Sequence, residues 1–77
     1  MSKQQEVRAE LAGNVYKILV SVGDEVNKGD QLIVLESMKM EIPVIAPKAG
    51  TVTAVNTSAD SVIAEGDVLV VMEVPTD

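Results

Sequence analysis

The chain contains no cysteine and no histidine. This excludes disulfides, thiolate nucleophiles, Ser-His and Cys-His pairs, and zinc sites of the usual nitrogen–sulfur type. Phenylalanine and tryptophan are also absent and there is one tyrosine, so any core must be built from Val, Ile, Leu, Ala and Met. No apolar run approaches the roughly twenty residues that a membrane-spanning helix needs. No signal peptide is visible at Met1-Ser2-Lys3-Gln4-Gln5-Glu6, and cytoplasm is the expected location. Glycine-rich phosphate loops of the P-loop or dinucleotide type are missing. Gly29-Asp30 and Gly66-Asp67 are turn signals with no ring of calcium ligands around them. Positive charge is scarce: six bases against twelve acids give a net charge of −6. That argues against nucleic acid or an anionic membrane as partner. A free-standing catalyst is not expected from this inventory.

What is present points to a single small β domain over residues 1–77. Apolar residues make up 47% of the chain, and valine, a strand former, is the commonest. The sequence also repeats once. Sliding it by 37 positions aligns residues 7–36 with 44–73 without a gap, with eleven identities over thirty positions. Ala12-Gly13-x-Val15 meets Ala49-Gly50-x-Val52, and Gly29-Asp30-x-Leu32-x-Val34-x-Glu36 meets Gly66-Asp67-x-Leu69-x-Val71-x-Glu73. A solenoid needs at least three copies. Two copies predict one domain with quasi-two-fold symmetry.

Each copy reads as short strands broken by Gly/Asp turns. Residues 15–20, 31–36 and 68–74 are predicted strands, and 22–30 a turn, a very short strand and a second turn. Such a series indicates an all-β sandwich or barrel. The competing local reading is a helix over residues 35–42, where Leu, Glu, Met and Lys are good helix formers. It would interrupt two β-branched runs and lacks caps at both ends. Residues 37–43 lie between the copies, with 1–6 and 74–77 left at the chain ends. Under a quasi-two-fold the link and the paired termini occupy equivalent places, which puts residue 39 and the termini at opposite ends.

That link contains the most informative segment, Glu36-Ser37-Met38-Lys39-Met40-Glu41. It joins Leu32-Ile33-Val34-Leu35 to Ile42-Pro43-Val44-Ile45, where a hairpin tip would ordinarily carry Gly, Asn, Asp or Pro. An isolated lysine on a turn is usually just solvated, and methionines two apart on a strand usually fill a core. Here the tip lacks turn formers, the lysine is flanked by apolar side chains, and the repeat does not account for the segment. A departure from local rules at one point invites a functional explanation. A tip lysine on a rigid body suits an attachment point whose ε-amine a second protein must reach. Tethered cargo reaches an effective concentration of roughly millimolar at each site it visits.

At these residues the chain resembles the biotinyl domains, whose attachment motif is Glu-Ala/Ser-Met-Lys-Met. The resemblance extends over about residues 7–74, includes Gly23–Asp30 and Ala46–Val52, and is closest to small single-domain biotin attachment proteins. It implies a flattened β-barrel of two four-stranded antiparallel sheets. It further implies that Lys39 is amide-linked to biotin by a biotin protein ligase. The ligase would read Met38 and Met40, with Glu36 and Ser37 completing the motif and Glu36 positioning the lysine. The family's cycle, also implied, takes up carboxylate at a biotin carboxylase with ATP and bicarbonate. It delivers that carboxylate at a carboxyltransferase, with an acyl-CoA as the expected acceptor, and Lys39 acts as an anchor with no acid–base role.

No insertion lies between Ala12 and Gly23, so the protruding thumb of some bacterial carboxyl carriers should be missing. Ala59-Asp60-Ser61 replaces Val22-Gly23-Asp24, which predicts a looser or reshaped turn. Asn56-Thr57 replaces Leu19-Val20, which predicts a more exposed strand end. Two alternatives stand beside the leading one: a lipoyl carrier, whose lysine is more often flanked by Asp and by Ala or Ser, and an unmodified β-sandwich adaptor. Met1 and the lack of an Ala/Pro-rich linker before Val7 lead to the expectation of a free-standing protein, monomeric as an isolated domain.

Overall fold

The computed structural model describes residues 2–75. Eight strands follow one another: β1 (Ser2–Arg8), β2 (Gly13–Ile18), β3 (Glu25–Val26), β4 (Gln31–Ser37), β5 (Met40–Ile45), β6 (Gly50–Val55), β7 (Val62–Ile63) and β8 (Val68–Pro75). They form two four-stranded antiparallel sheets, ordered β1-β8-β6-β3 and β5-β4-β2-β7. The chain changes sheet at every connection except one, the β4–β5 hairpin. No strand pairing joins one sheet to the other among the described residues. The domain is elongated, 40 × 19 × 18 Å.

The 37-residue repeat is the symmetry of the fold. It carries β2 onto β6 and β3 onto β7 residue for residue, and it carries the order β1-β8-β6-β3 onto β5-β4-β2-β7. It also carries the irregularities: the bulge between Val15 and Lys17 maps onto that between Val52 and Ala54. Bulges bend strands and re-aim their side chains, so both sheets curve in the same way over the core. The Gly-Asp turns match as well. Asp30 accepts the Asn27 N–H and Asp67 accepts the Ala64 N–H, each at 2.8 Å, beside glycines with φ 91° in both copies.

The core is made of symmetry-related pairs. Leu32 and Leu69, Ile33 and Val70, Leu35 and Met72, and Val15 and Val52 are fully buried between the sheets. Each such side chain contributes roughly 1.5–3 kcal/mol by leaving water. No polar or charged residue is buried among those described.

Residues 35–42 form strand, turn and strand, because β4 pairs on one side with β2 and on the other with β5. Those ladders satisfy backbone groups that a short isolated helix would leave exposed. The polar N-terminal residues, set outside the repeat, form most of β1 and pair with β8 from Ser2↔Pro75 inward. Their charged and amide side chains suit a sheet edge. Asp60 occupies the left-handed position of Gly23, with φ 67° against 97°. The turn keeps its backbone bond, Ser61 N–H to Ser58 O at 3.2 Å against 3.0 Å for Asp24 and Ser21, but its side-chain lock changes. Asp24 accepts the Ser21 N–H, whereas the Ser58 and Ser61 hydroxyls bond to each other. Asn56 is no more exposed in class than Leu19, and each donates its N–H to the adjoining strand. Only residues 19–24 separate β2 from β3, so no thumb protrudes there.

Candidate functional site

The β4–β5 hairpin closes at the pair Ser37↔Met40, leaving Met38 and Lys39 as a two-residue loop. Both have positive φ, 53° and 65°, as a type I′ hairpin turn requires. Asn and Gly normally fill these positions. For other L-residues the left-handed region costs roughly 1–2 kcal/mol each. Apart from Asp60, these are the only non-glycine residues with positive φ among those described. Such strain persists where the surrounding structure imposes it, and it marks candidate functional sites.

The surroundings do impose it. Below the turn the ladder runs Glu36↔Glu41, Leu35↔Ile42, Val34↔Pro43, and Leu35 is locked in the core. On the other side β2 pairs with β4 through Asn14↔Glu36 and Val15↔Leu35. A Cβ at Gly13 would stand 2.8 Å from the Glu36 carbonyl oxygen and 3.3 Å from the Ser37 Cβ. Gly13 therefore lets β2 approach the base of the hairpin closely enough to brace it. Sequence reasoning noticed Gly13 only as part of the repeat and did not single out Asn14. The usable signal was the recurrence of Ala-Gly-x-Val, since Gly50 allows the equivalent approach to Glu73 and Val74.

The five predicted site residues, Glu36, Ser37, Met38, Lys39 and Met40, lie together on this hairpin. Met38 is 91% exposed and Met40 63%, while Met72 in the core is 0% exposed. The tip methionines do not fill the core. Lys39 is exposed and has no ion-pair partner among the described residues, where Arg8–Glu6 is the only salt bridge. Glu36 and Glu41 are also exposed, and Ser37 is half-buried.

Two open cavities lie elsewhere, a groove of about 500 Å³ between β1 and β5 and another of about 630 Å³ beside β7 and β8. Neither is lined by residues 36–41. The tip thus encloses nothing. It offers a primary amine to whatever can approach, and an unpaired exposed amine is a chemically suitable partner for an amide bond.

Comparisons with known proteins agree with this geometry. A family model described as "Biotin-requiring enzyme" matches residues 5–72. The chain is 50% identical over 68 residues to a biotinylated protein homologue of Mycobacterium leprae, covering 88% of this chain and 96% of that protein. It is 44% identical over 63 residues to a biotin/lipoyl attachment protein of Bacillus subtilis, covering 82% and 86%. Among solved structures, a single-chain, multi-domain long-chain acyl-CoA carboxylase superposes with a TM-score of 0.88 at 35% identity. The match covers 96% of this chain and 7% of that one. The urea carboxylase of Kluyveromyces lactis gives 0.86 at 31%, covering 91% and 6%. In both enzymes the likeness is to one small part of a much longer chain. The chain belongs to the biotin/lipoyl attachment family, as a small domain related to biotin carboxyl carrier proteins.

Proposed function

We propose that Lys39 is the attachment residue, and that the chain is a single non-catalytic carrier unit for covalently bound biotin in a biotin-dependent carboxylase system. The observation that carries the reading is the position of Lys39 at the tip of a strained two-residue turn, unpaired, between two exposed methionines. The site fits the group, because an amide to the Lys39 Nζ displaces no contact of the folded domain. When bound, biotin supplies a ureido nitrogen that can take up and release a carboxyl group.

The chain's own residues do the holding and presenting. The β4–β5 ladder fixes the base of the arm, Gly13 permits β2 to brace it, and the left-handed turn directs residues 38 and 39 away from the body. Met38 and Met40 give a biotin protein ligase an apolar surface to grip, while Glu36 and Ser37 set the base of the hairpin. Amide formation removes the Lys39 charge, so the tip becomes more acidic between Glu36 and Glu41.

The catalytic partners in this reading are a biotin carboxylase and a carboxyltransferase, with an acyl-CoA as acceptor and the cytoplasm as location. The likeness to part of a long-chain acyl-CoA carboxylase supports that choice of acceptor. No helix among the described residues is long and apolar enough to cross a membrane. The alternation of the chain between sheets supports describing the sandwich as a flattened barrel.

Intact mass after incubation with a biotin protein ligase, biotin and ATP tests the reading. One biotinyl group per chain is expected, retained in Lys48→Ala and lost in Lys39→Ala. A lipoyl adduct from a host that makes both cofactors, or no adduct, would contradict it.

A further inference from the structure

With no cysteine in the chain, its four methionines carry all of its sulfur and no thiolate competes for an oxidant. Three of the methionines lie among the described residues, and the fold places them in opposite surroundings. Met72 is fully buried in the core, where the repeat pairs it with Leu35. Met38 and Met40, 91% and 63% exposed, stand on either side of Lys39. Neither lines a groove of the domain.

The fold does not depend on the apolar character of either tip side chain. The repeat places Lys3 of β1 at the position equivalent to Met40 of β5. Met38 belongs to the turn, beyond the last pair of the ladder. A polar group at both positions therefore leaves the sheets intact. An accessible thioether reacts with a hydroperoxide in one step. The sulfur lone pair attacks one peroxide oxygen, an S–O bond forms, the O–O bond breaks, and a proton shift releases water. Sulfur gives up two electrons, which reduce the peroxide, and a flexible apolar side chain becomes a polar sulfoxide.

We infer that Met38 and Met40 are an oxidation site that gates the loading of Lys39. A hydroperoxide converts both to sulfoxides while the domain stays folded, and Lys39 then accepts biotin poorly until a sulfoxide reductase restores the thioethers. The gate has a direction. It acts before acylation, because the sulfoxides replace the apolar surface on both sides of the amine with polar groups. After acylation the amide at the Lys39 Nζ is untouched by oxidation of a neighbouring sulfur, so a loaded chain stays loaded. The inference rests on the reading of Lys39 as the attachment residue and of the two methionines as the surface that the ligase grips.

Hydrogen peroxide is the probe. The full chain is treated until peptide mass mapping shows one added oxygen on each of Met38 and Met40, and the peroxide is then removed. At that point Met72 should be unoxidised and the melting curve unaltered. With a biotin protein ligase, biotin and ATP, kcat/KM for the treated chain should fall about tenfold. It should recover after treatment with sulfoxide reductases for both epimers. Met72→Leu, which borrows the residue of the other copy, should lose labelling on treatment as the wild type does. In a Met38→Leu, Met40→Leu double variant, peroxide should leave the rate unchanged relative to its own untreated sample. A chain biotinylated first should keep its biotinyl group through the same treatment, whether or not biotin's own thioether gains an oxygen. Oxidation of Met72 in step with the tip, an unchanged kcat/KM once both tip sulfurs are oxidised, or a loss that the reductases do not reverse overturns the inference and leaves the Lys39 reading in place. An untreated wild-type chain that takes no label overturns both.

Discussion

Glu36 and Glu41 stand directly opposite each other across β4 and β5, one residue pair below the Ser37↔Met40 closure. Like charges opposed across an antiparallel pair destabilise it. Lys39, two residues from Glu41 along the chain, supplies the nearest positive charge in sequence, and acylation removes it. Glu41→Gln should therefore stabilise the domain by roughly 0.2–1 kcal/mol at low salt. The gain should shrink as added salt screens the pair, and be larger in acylated than in unacylated protein. Thermal melts of both forms at two ionic strengths check this; equal gains in the two forms would contradict it.

The turn itself trades stability for presentation. Replacing Met38 and Lys39 by Asn and Gly installs the residues that a type I′ turn favours. The double variant should gain about 1–2 kcal/mol in chemical denaturation, the relief of left-handed strain at two residues less the extra backbone entropy that glycine loses on folding, while losing all labelling. A variant no more stable than the wild type would show that the surrounding ladder does not impose strain on residues 38 and 39.

Gly13 and Gly50 are equivalent in fold but not in consequence. Alanine at either forces a Cβ against the backbone of the neighbouring strand, and overpacking of this kind costs about 1–3 kcal/mol. Both variants should be destabilised, Gly50→Ala the more, because a Cβ there would crowd the Glu73 carbonyl oxygen and Val74 more closely than one at Gly13 crowds Glu36 and Ser37. Only Gly13→Ala displaces the base of the lysine hairpin, so only it should slow labelling at a temperature where both are folded. Equal labelling rates would remove Gly13 from the presentation of Lys39.

Asp60 occupies the left-handed position that Gly23 fills in the other copy. Asp60→Gly should raise stability by up to about 1 kcal/mol, and Gly23→Asp should lower it. Neither should alter labelling, because the turn lies outside the hairpin. Denaturant midpoints with unchanged m-values check the first pair of expectations.

Much of this was legible in the chain because the repeat constrains it twice. Gly29-Asp30 and Gly66-Asp67 marked equivalent turns, and the shift that aligns them also aligns β2 with β6 and β3 with β7. The tip was legible through what it lacked, a Gly or Asn at a hairpin closure. The polar segment of β1 was not, because Ser2-Lys3-Gln4-Gln5-Glu6 carries no strand pattern. It becomes a strand only by pairing with β8, a tertiary effect that overrides propensity. The bracing by Gly13 was hidden for a related reason: it depends on which strand lies beside Glu36, and pairing partners are not written in local sequence.

The central claim is that one lysine of five carries the cofactor, and peptide-level mass mapping of the acylated chain tests it most directly. The account predicts a biotinyl group on Lys39 alone, with Lys3, Lys17, Lys28 and Lys48 unmodified. An adduct on any of those four, or none on Lys39, would contradict it.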